Sequence, residues 1–313
     1  TVTFAALKPG LLFGEGPCLA GRVEVVDIGL DISGVETFLV ENRDIASLVP
    51  PRQADAHKWN SACWVVAGSP GMEGAANLAA AAAQRAGAGY VRLSVPGGTG
   101  TGAPVEVVGY PVDAGLAEVS GDLGRFASLV VGPGLGTDSD TLSGVRRLVA
   151  NSTVPVVVDG DGLNALVDVD PEHGRMASIV LTPHDGEYER LAGSRPGPDR
   201  IGAAGALARS FDAVVLLKGP TTVVAAPDGR VRLVTAGDSR LATAGTGDVL
   251  AGILGAFLAR GADPLDAAAA AAHVHGRLAA ACPETGVVAG DLATHLVEVL
   301  MGLGVDSAEG ASL

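Results

Sequence analysis

From about residue 57 to residue 303, short continuous apolar runs alternate with stretches whose apolar positions recur every three or four residues. Cys63-Trp-Val-Val-Ala67, Tyr90-Val-Arg-Leu-Ser-Val95, Ser128-Leu-Val-Val131, Val154-Pro-Val-Val-Val158, Ser178-Ile-Val-Leu181 and Ala213-Val-Val-Leu-Leu217 read as strands buried on both faces. Helices are predicted over 75–86 and 139–150, with shorter ones after Asp159-Gly-Asp-Gly162 and after Glu187. Thr222-Val-Val-Ala-Ala226 and Val231-Arg-Leu-Val234 form a predicted hairpin that turns at Asp228-Gly229. Three helices follow, the first from near Gly247 to Arg260, stopped by Gly261. The others cover 266–281 and 287–303, the last with its regular part starting near Asp291.

Strands alternating with helices predict an α/β fold with a mainly parallel sheet covered on both faces. In such folds ligands bind outside the carboxyl ends of the strands. That is where Gly68-Ser-Pro-Gly-Met-Glu-Gly74, Gly132-Pro-Gly-Leu-Gly136, Asp159-Gly-Asp-Gly162, Thr182-Pro-His-Asp-Gly-Glu187 and Lys218-Gly-Pro220 all fall. Before this region, residues 1–30 carry a short apolar run and the strand-like Arg22-Val-Glu-Val-Val-Asp-Ile28, too little for a domain. Residues 31–55 read as a linker without periodicity, Pro50-Pro51-Arg52 marks a boundary, and the last ten residues read as a frayed tail.

Composition narrows the choice of partners. A net charge of −14 excludes a nucleic-acid surface built on phosphate contacts. Aromatic residues make up only 4% of the chain, so the core must be close-packed Ala, Val and Leu. The cysteines, Cys18, Cys63 and Cys282, are too scattered for a disulfide framework or a zinc site. No apolar run is long enough to span a bilayer, and the first ten residues do not form a signal peptide, so the expected location is the cytoplasm. His273 and His275 are two residues apart and point different ways around a helix, which argues for packing or surface roles and not for a metal pair.

Candidate chemistry centres on Ala244-Gly-Thr-Gly-Asp248. Two glycines feed a helix whose first N–H groups lack internal partners, a setting that attracts phosphate. A carboxylate there disfavours an anion unless it is needed as a base, and Asp248 beside that helix end suits attack of a substrate hydroxyl on a phosphoryl group. A capped helix start explains the same four residues, and it is their company at strand ends that favours a site. Neither a phosphate-binding Walker sequence nor the full dinucleotide fingerprint is present. The three lysines are Lys8, Lys58 and Lys218, and only Lys218 closes an apolar strand within the alternating region.

Residues from about 50 to 303 resemble the ADP/ATP-dependent NAD(P)H-hydrate dehydratases, a branch of the ribokinase-like fold. The ordered segments that carry the resemblance are Gly71-Met-Glu-Gly-Ala-Ala76, Gly87-Ala-Gly-Tyr-Val91, Gly132-Pro-Gly-Leu-Gly136, Asp159-Gly-Asp-Gly-Leu-Asn164, Leu181-Thr-Pro-His-Asp-Gly-Glu187, Leu217-Lys-Gly-Pro-Thr-Thr222 and Ala244-Gly-Thr-Gly-Asp-Val-Leu-Ala-Gly252. The resemblance implies a three-layer sandwich and repair of hydrated NADH or NADPH at the expense of ADP or ATP. It assigns Asp248 as base, and Gly245, Thr246 and Gly247 as the anion hole. Lys218, Gly219, Pro220, Thr221 and Thr222, with Gly247, would contact the nucleotide. Ala76, Gly134, His184 and Asp248 would contact the hydrate. Magnesium should bridge the nucleotide phosphates, with Asn164 and Glu187 as ligands through water. The resemblance further implies a homo-oligomer, in the form of a tetramer, and ADP as preferred donor.

Residues 1–49 then become the closing segment of a preceding epimerase domain plus linker, 50–303 the dehydratase domain and 304–313 a tail. Ser69-Pro70, Trp59 and Asp185 depart from the family pattern; Pro is frequent at the last position. A small-molecule kinase of the same fold, acting on a sugar, vitamin or hydroxymethylpyrimidine, is the nearest alternative, and a nucleotide-binding module without catalysis the second. The accumulation of a stable phosphoester separates the first, and the intact Asp248 argues against the second.

Overall fold

The computed structural model describes residues 1–98, 102–169 and 176–306. In chain order the elements begin with β1 (Val2–Phe4), α1 (Gly16–Ala20), β2 (Glu24–Val26), β3 (Thr37–Leu39), α2 (Ile45–Leu48), β4 (Ala62–Val66), α3 (Glu73–Arg85), β5 (Tyr90–Ser94) and β6 (Val108–Gly109). Then come α4 (Ala117–Asp122), β7 (Ser128–Val131), α5 (Ser139–Asn151), β8 (Val156–Val158), β9 (Ile179–Leu181), α6 (Asp185–Ala192) and α7 (Arg200–Phe211). The chain continues through β10 (Val214–Leu217), β11 (Thr222–Ala225), β12 (Val231–Val234), α8 (Thr246–Ala259), α9 (Pro264–Ala281) and α10 (Ala289–Gly302).

Among the described residues, ten strands form one sheet in the order β3-β12-β11-β10-β9-β8-β7-β4-β5-β6. Pairing is parallel from β10 through to β6, and antiparallel only where β11 joins β10 and β12. Both faces are covered, because each central strand alternates its side chains between two apolar cores. Cys63 and Val65 of β4, Val130 of β7, Val157 of β8 and Val180 of β9 join the core under α3, α8, α9 and α10. Trp64, Leu129, Val156 and Leu181 join the core under α5, α6 and α7.

The middle of the first layer is α8, whose residues from Val249 to Ala259 are all buried. A helix apolar on every side must be surrounded, and its glycines set how close the neighbours come. A Cβ at Gly252 would lie 2.2 Å from the Ala79 carbonyl of α3, and one at Gly255 would lie 2.2 Å from Val130 of β7. Ser128 Oγ reaches across to donate to the Gly255 carbonyl at 2.7 Å.

The stretch 31–55, read from sequence as a linker, is instead part of this body. β3 pairs in parallel with β12, and Ile45 of α2 is fully buried in the core that α9 lines. A three-residue strand carries too little alternation to be seen alone; its partner strand, almost 200 residues away, defines it. β1 and β2 make a separate two-stranded parallel sheet, narrower than the strand-like run 22–28 suggested. Elements β6, α4 and α7 were not foreseen; α9 begins two residues before the expected 266, and α10 begins at Ala289, between the expected 287 and Asp291. Within the tail, residues 307–313 lie outside the described residues.

Candidate active site

The loops leaving β7, β8, β9 and β10 sit at the carboxyl end of the sheet, and the first turn of α8 faces them. Gly132 ends β7 with φ +129°, and a Cβ there would lie 1.8 Å from the Asp159 carbonyl, so glycine alone allows the two loops to touch. Gly136 N–H then donates to Asp161 Oδ2 at 2.9 Å. Asp159, buried at the end of β8, accepts Thr182 Oγ1–H at 2.5 Å and Lys218 Nζ at 2.9 Å on its Oδ1.

The same ammonium lies 3.5 Å from Glu187 Oε2. Burial opposes the charge on Lys218, but the two carboxylates outweigh it and hold the pKa above its ordinary value. Glu187 is further committed as the third residue of a capping box, its Oε2 accepting the His184 N–H at 2.8 Å. His184 completes the box by accepting the N–H groups of Gly186 and Glu187 on Nδ1, at 3.0 and 3.3 Å. An acceptor Nδ1 places the ring proton on Nε2 of this exposed imidazole, which lies 3.4 Å from Glu187 Oε1.

Helix α8 opens at Gly245, held at φ +91°. A Cβ on this residue would press within 2.7 Å of Leu78 and 3.0 Å of Ala289, so the turn is wedged between α3 and α10. Thr246 Oγ1 donates to the Leu241 and Thr243 carbonyls at 2.8 and 3.0 Å, and its N–H turns back to the Thr243 carbonyl at 3.4 Å, which closes the turn. The Cβ position of Gly247 is 3.8 Å from Lys218 Nζ and 3.9 Å from Asp159 Oδ2, open space bounded by one cation and one carboxylate.

Asp248 comes next, partly buried. Burial foremost, then the charges of Asp159 and Asp161, push its pKa up to about 7 against the pull of Lys218. A carboxyl that titrates near neutrality next to an anion-binding helix end is suited to take a proton from a hydroxyl as that hydroxyl attacks.

A cavity of about 760 Å³ opens from this corner, its walls including Lys218, Pro220, Thr222, Gly247, His184 and His275. Gly219 and Thr246 line it too, but Thr221 does not. The Thr221 hydroxyl is buried and donates to the Leu12 carbonyl at 2.5 Å, bracing the loop from behind. Ala76 and Gly134 are not among the residues that line this cavity: Ala76 is fully buried in the core, and Gly134 sits against Ala75 and Met72 with Ser69 Oγ donating to its carbonyl at 3.0 Å.

His273 and His275 are both buried in α9. His273 Nε2 is 2.8 Å from Asn42 Oδ1, and His275 stays neutral, burial pushing its pKa down to about 4. Among the described residues no cluster of three His, Cys, Asp or Glu could enclose a metal ion. Nor is any described helix long and apolar enough to cross a membrane.

Sequence reasoning did not single out Asp159, although it stood in a quoted motif. Its signal was spacing: an acid directly after a buried strand, in a sheet where another strand is followed directly by a lysine.

A parallel sheet whose carboxyl-end loops face a glycine-started helix with an acid in its first turn defines the ribokinase-like class of α/β proteins. A ribokinase-like superfamily protein from Enterococcus faecalis superposes with a TM-score of 0.74 at 20% identity, covering 88% of this chain and 99% of that one. The particular family is fixed by sequence. The profile of the NAD(P)H-hydrate dehydratase family matches residues 63–301, and the chain belongs to that family.

A bifunctional NAD(P)H-hydrate repair enzyme of Salinibacter ruber is 44% identical over 304 residues, 89% of this chain and 56% of that protein. The enzyme of the same description from Mycobacterium tuberculosis H37Rv is 45% identical over 273 residues, 86% of this chain and 55% of that protein. The chain thus spans little more than half the length of these curated relatives. The ADP/ATP-dependent NAD(P)H-hydrate dehydratase of Bacillus subtilis, co-crystallised with ATP and Mg2+, superposes with a TM-score of 0.76 at 28% identity over 84% of this chain and 97% of that one.

Proposed function

We propose that this chain dehydrates hydrated NADH or NADPH with ADP or ATP as phosphoryl donor, returning the reduced cofactor. Support comes from the family membership together with one observation above all: Asp248, titrating near 7, stands one residue after Gly247 at the helix end that faces Lys218.

In this reading the nucleotide lies in the 760 Å³ cavity along Lys218, Gly219, Pro220 and Thr222, its terminal phosphoryl group against the N–H groups of Gly245, Thr246 and Gly247. Thr221 supports that loop through its buried hydroxyl and does not touch the nucleotide. The hydrate lies toward Ala76 and Gly134, with His184 Nε2–H as a donor to it. Asp248 takes the hydroxyl proton as the hydroxyl oxygen bonds to phosphorus and the bond to the leaving nucleotide breaks. Hydroxide is a poor leaving group and phosphate a good one. The lone pair of the ring nitrogen expels the phosphate, and loss of a proton from the neighbouring carbon restores the ring double bond.

Magnesium, carried in on the nucleotide, neutralises phosphate charge during transfer. Such an ion would keep most of its waters and need few protein oxygens. Asp159, whose Oδ2 faces the Gly247 position, is better placed to hold its waters than Glu187, whose carboxylate is taken up by His184 and Lys218; Asn164 remains the other candidate. Residues 1–49 in this reading include the closing segment of a preceding epimerase domain, in line with the bifunctional relatives, and the chain works in the cytoplasm as a homotetramer.

The test is phosphorus NMR of a reaction with hydrated NADH and each nucleotide, alongside the return of reduced-nicotinamide absorbance. Expected are one inorganic phosphate and one reduced cofactor per turnover, with AMP from ADP or ADP from ATP. A persistent phosphoester, or nucleotide consumption without reduced cofactor, makes the protein a kinase of the same fold.

A further inference from the structure

Arg200 belongs to no motif, yet its guanidinium joins the two loops on either side of the cavity mouth. Nη2 donates to the Lys218 carbonyl at 2.8 Å, and Nη1 donates to Asp185 Oδ1 at 2.9 Å. Lys218 opens the nucleotide loop, and Asp185 follows His184 directly. The contact is tight: a Cβ on Gly219 would lie 2.8 Å from Nη2.

Two features of Arg200 cost stability. It is the first residue of α7, where a cation meets the positive end of the helix dipole. Its Nε is buried without a hydrogen-bond partner. Asp199 caps the helix through the Gly202 N–H at 2.8 Å, so α7 does not need this arginine to begin. What Arg200 adds is the bridge, and a planar fork serves two acceptors at fixed angles as no lysine can.

We propose that Arg200 is a positioning residue for the nucleotide site. It fixes the backbone of Lys218 and Gly219 against the His184 turn, and Asp185 anchors its second arm. With the Lys218 ammonium held by Asp159 and Glu187, both ends of that residue are then fixed before nucleotide arrives. Preorganisation of this kind strengthens binding by lowering the ordering cost. The assignment rests on the nucleotide site proposed above.

The experiment compares Arg200→Ala, Arg200→Lys and Asp185→Asn by calorimetric titration with ADP and with ATP, and by steady-state kinetics. Arg200→Ala should weaken nucleotide binding and raise the nucleotide KM by about tenfold or more, the scale of losing a charged hydrogen bond. At saturating nucleotide, kcat should stay within about threefold of the parent, because this residue does not touch reacting atoms. Arg200→Lys should fall between, and Asp185→Asn should weaken binding alone but add nothing in the Arg200→Ala background.

Unchanged nucleotide affinity in folded Arg200→Ala, or losses that simply add, would overturn the proposal. If Arg200→Ala does not fold, Arg200→Lys and Asp185→Asn decide the matter by the same titration. Should the variants shift nucleotide affinity as described while the parent protein fails to regenerate reduced nicotinamide, the positioning role holds and the dehydratase reading falls.

Discussion

The position of the Asp248 carboxyl on the pH scale sets a strong expectation for turnover. Its pKa of about 7 comes from burial first, then from Asp159 and Asp161 at the end of β8, with Lys218 at the end of β10 pulling the other way. A base must be ionised to work. With a pKa near 7, about half of the molecules carry the base at pH 7, about a tenth at pH 6 and about a hundredth at pH 5. The rate at limiting hydrate, followed by reduced-nicotinamide absorbance with saturating nucleotide, should therefore rise about tenfold per pH unit below 7 and level off above it.

Asp159→Asn removes one of the charges that raise Asp248 and frees Lys218 to pull harder, so the rising limb should move to lower pH. Asp248→Asn keeps size and hydrogen bonding but deletes the base. Turnover should drop by about 10² or more and lose this limb, with nucleotide still bound. A flat parent profile between pH 5.5 and 8 would refute the reasoning, as would near-normal turnover in Asp248→Asn.

Two further outcomes follow from glycine environments. Gly247→Val points a branched side chain into the open space between Lys218 Nζ and Asp159 Oδ2, so calorimetry should show nucleotide affinity reduced by about tenfold or more at near-parental Tm. Gly252→Ala forces a methyl to within 2.2 Å of the Ala79 carbonyl and should cost about 1–3 kcal/mol in urea unfolding, whereas Gly290→Ala, with nothing within 4 Å, should stay within about 0.5 kcal/mol.

The sheet and the organising helix were legible because their signals are local. A run such as Val214–Leu217 is apolar on both faces, and α8 carries its own start and stop residues. The corner at Asp248 was legible for the same reason, as glycine, glycine and acid lie within five residues. What remained hidden depends on partners distant in the chain. Asp159 gains its meaning from Lys218, 59 residues on, and Arg200 from two loops that only the sheet order brings together. Thr221 stood in the expected nucleotide loop, but its hydroxyl is spoken for by Leu12, 209 residues earlier. Glu187 was expected to hold magnesium through water, and its engagement with the His184 N–H and Lys218 was hidden because a capping box and a lysine at a strand end are separate local signals.

The pairing of β3 with β12 bears on how this protein can be cut. A trimming point at the Pro50-Pro51 boundary would keep every residue of the phosphoryl-transfer corner. It would also strip Thr37–Leu39 from the flank of Val231–Val234 and leave the main-chain groups that now bond Val40 and the Glu36 carbonyl facing water. An uncovered, valine-rich strand of that kind invites a neighbouring molecule to add its own strand, so a shortened version would gather into aggregates, and it would also lose the Leu12 carbonyl that holds Thr221. A cut placed ahead of Glu36 retains the cover.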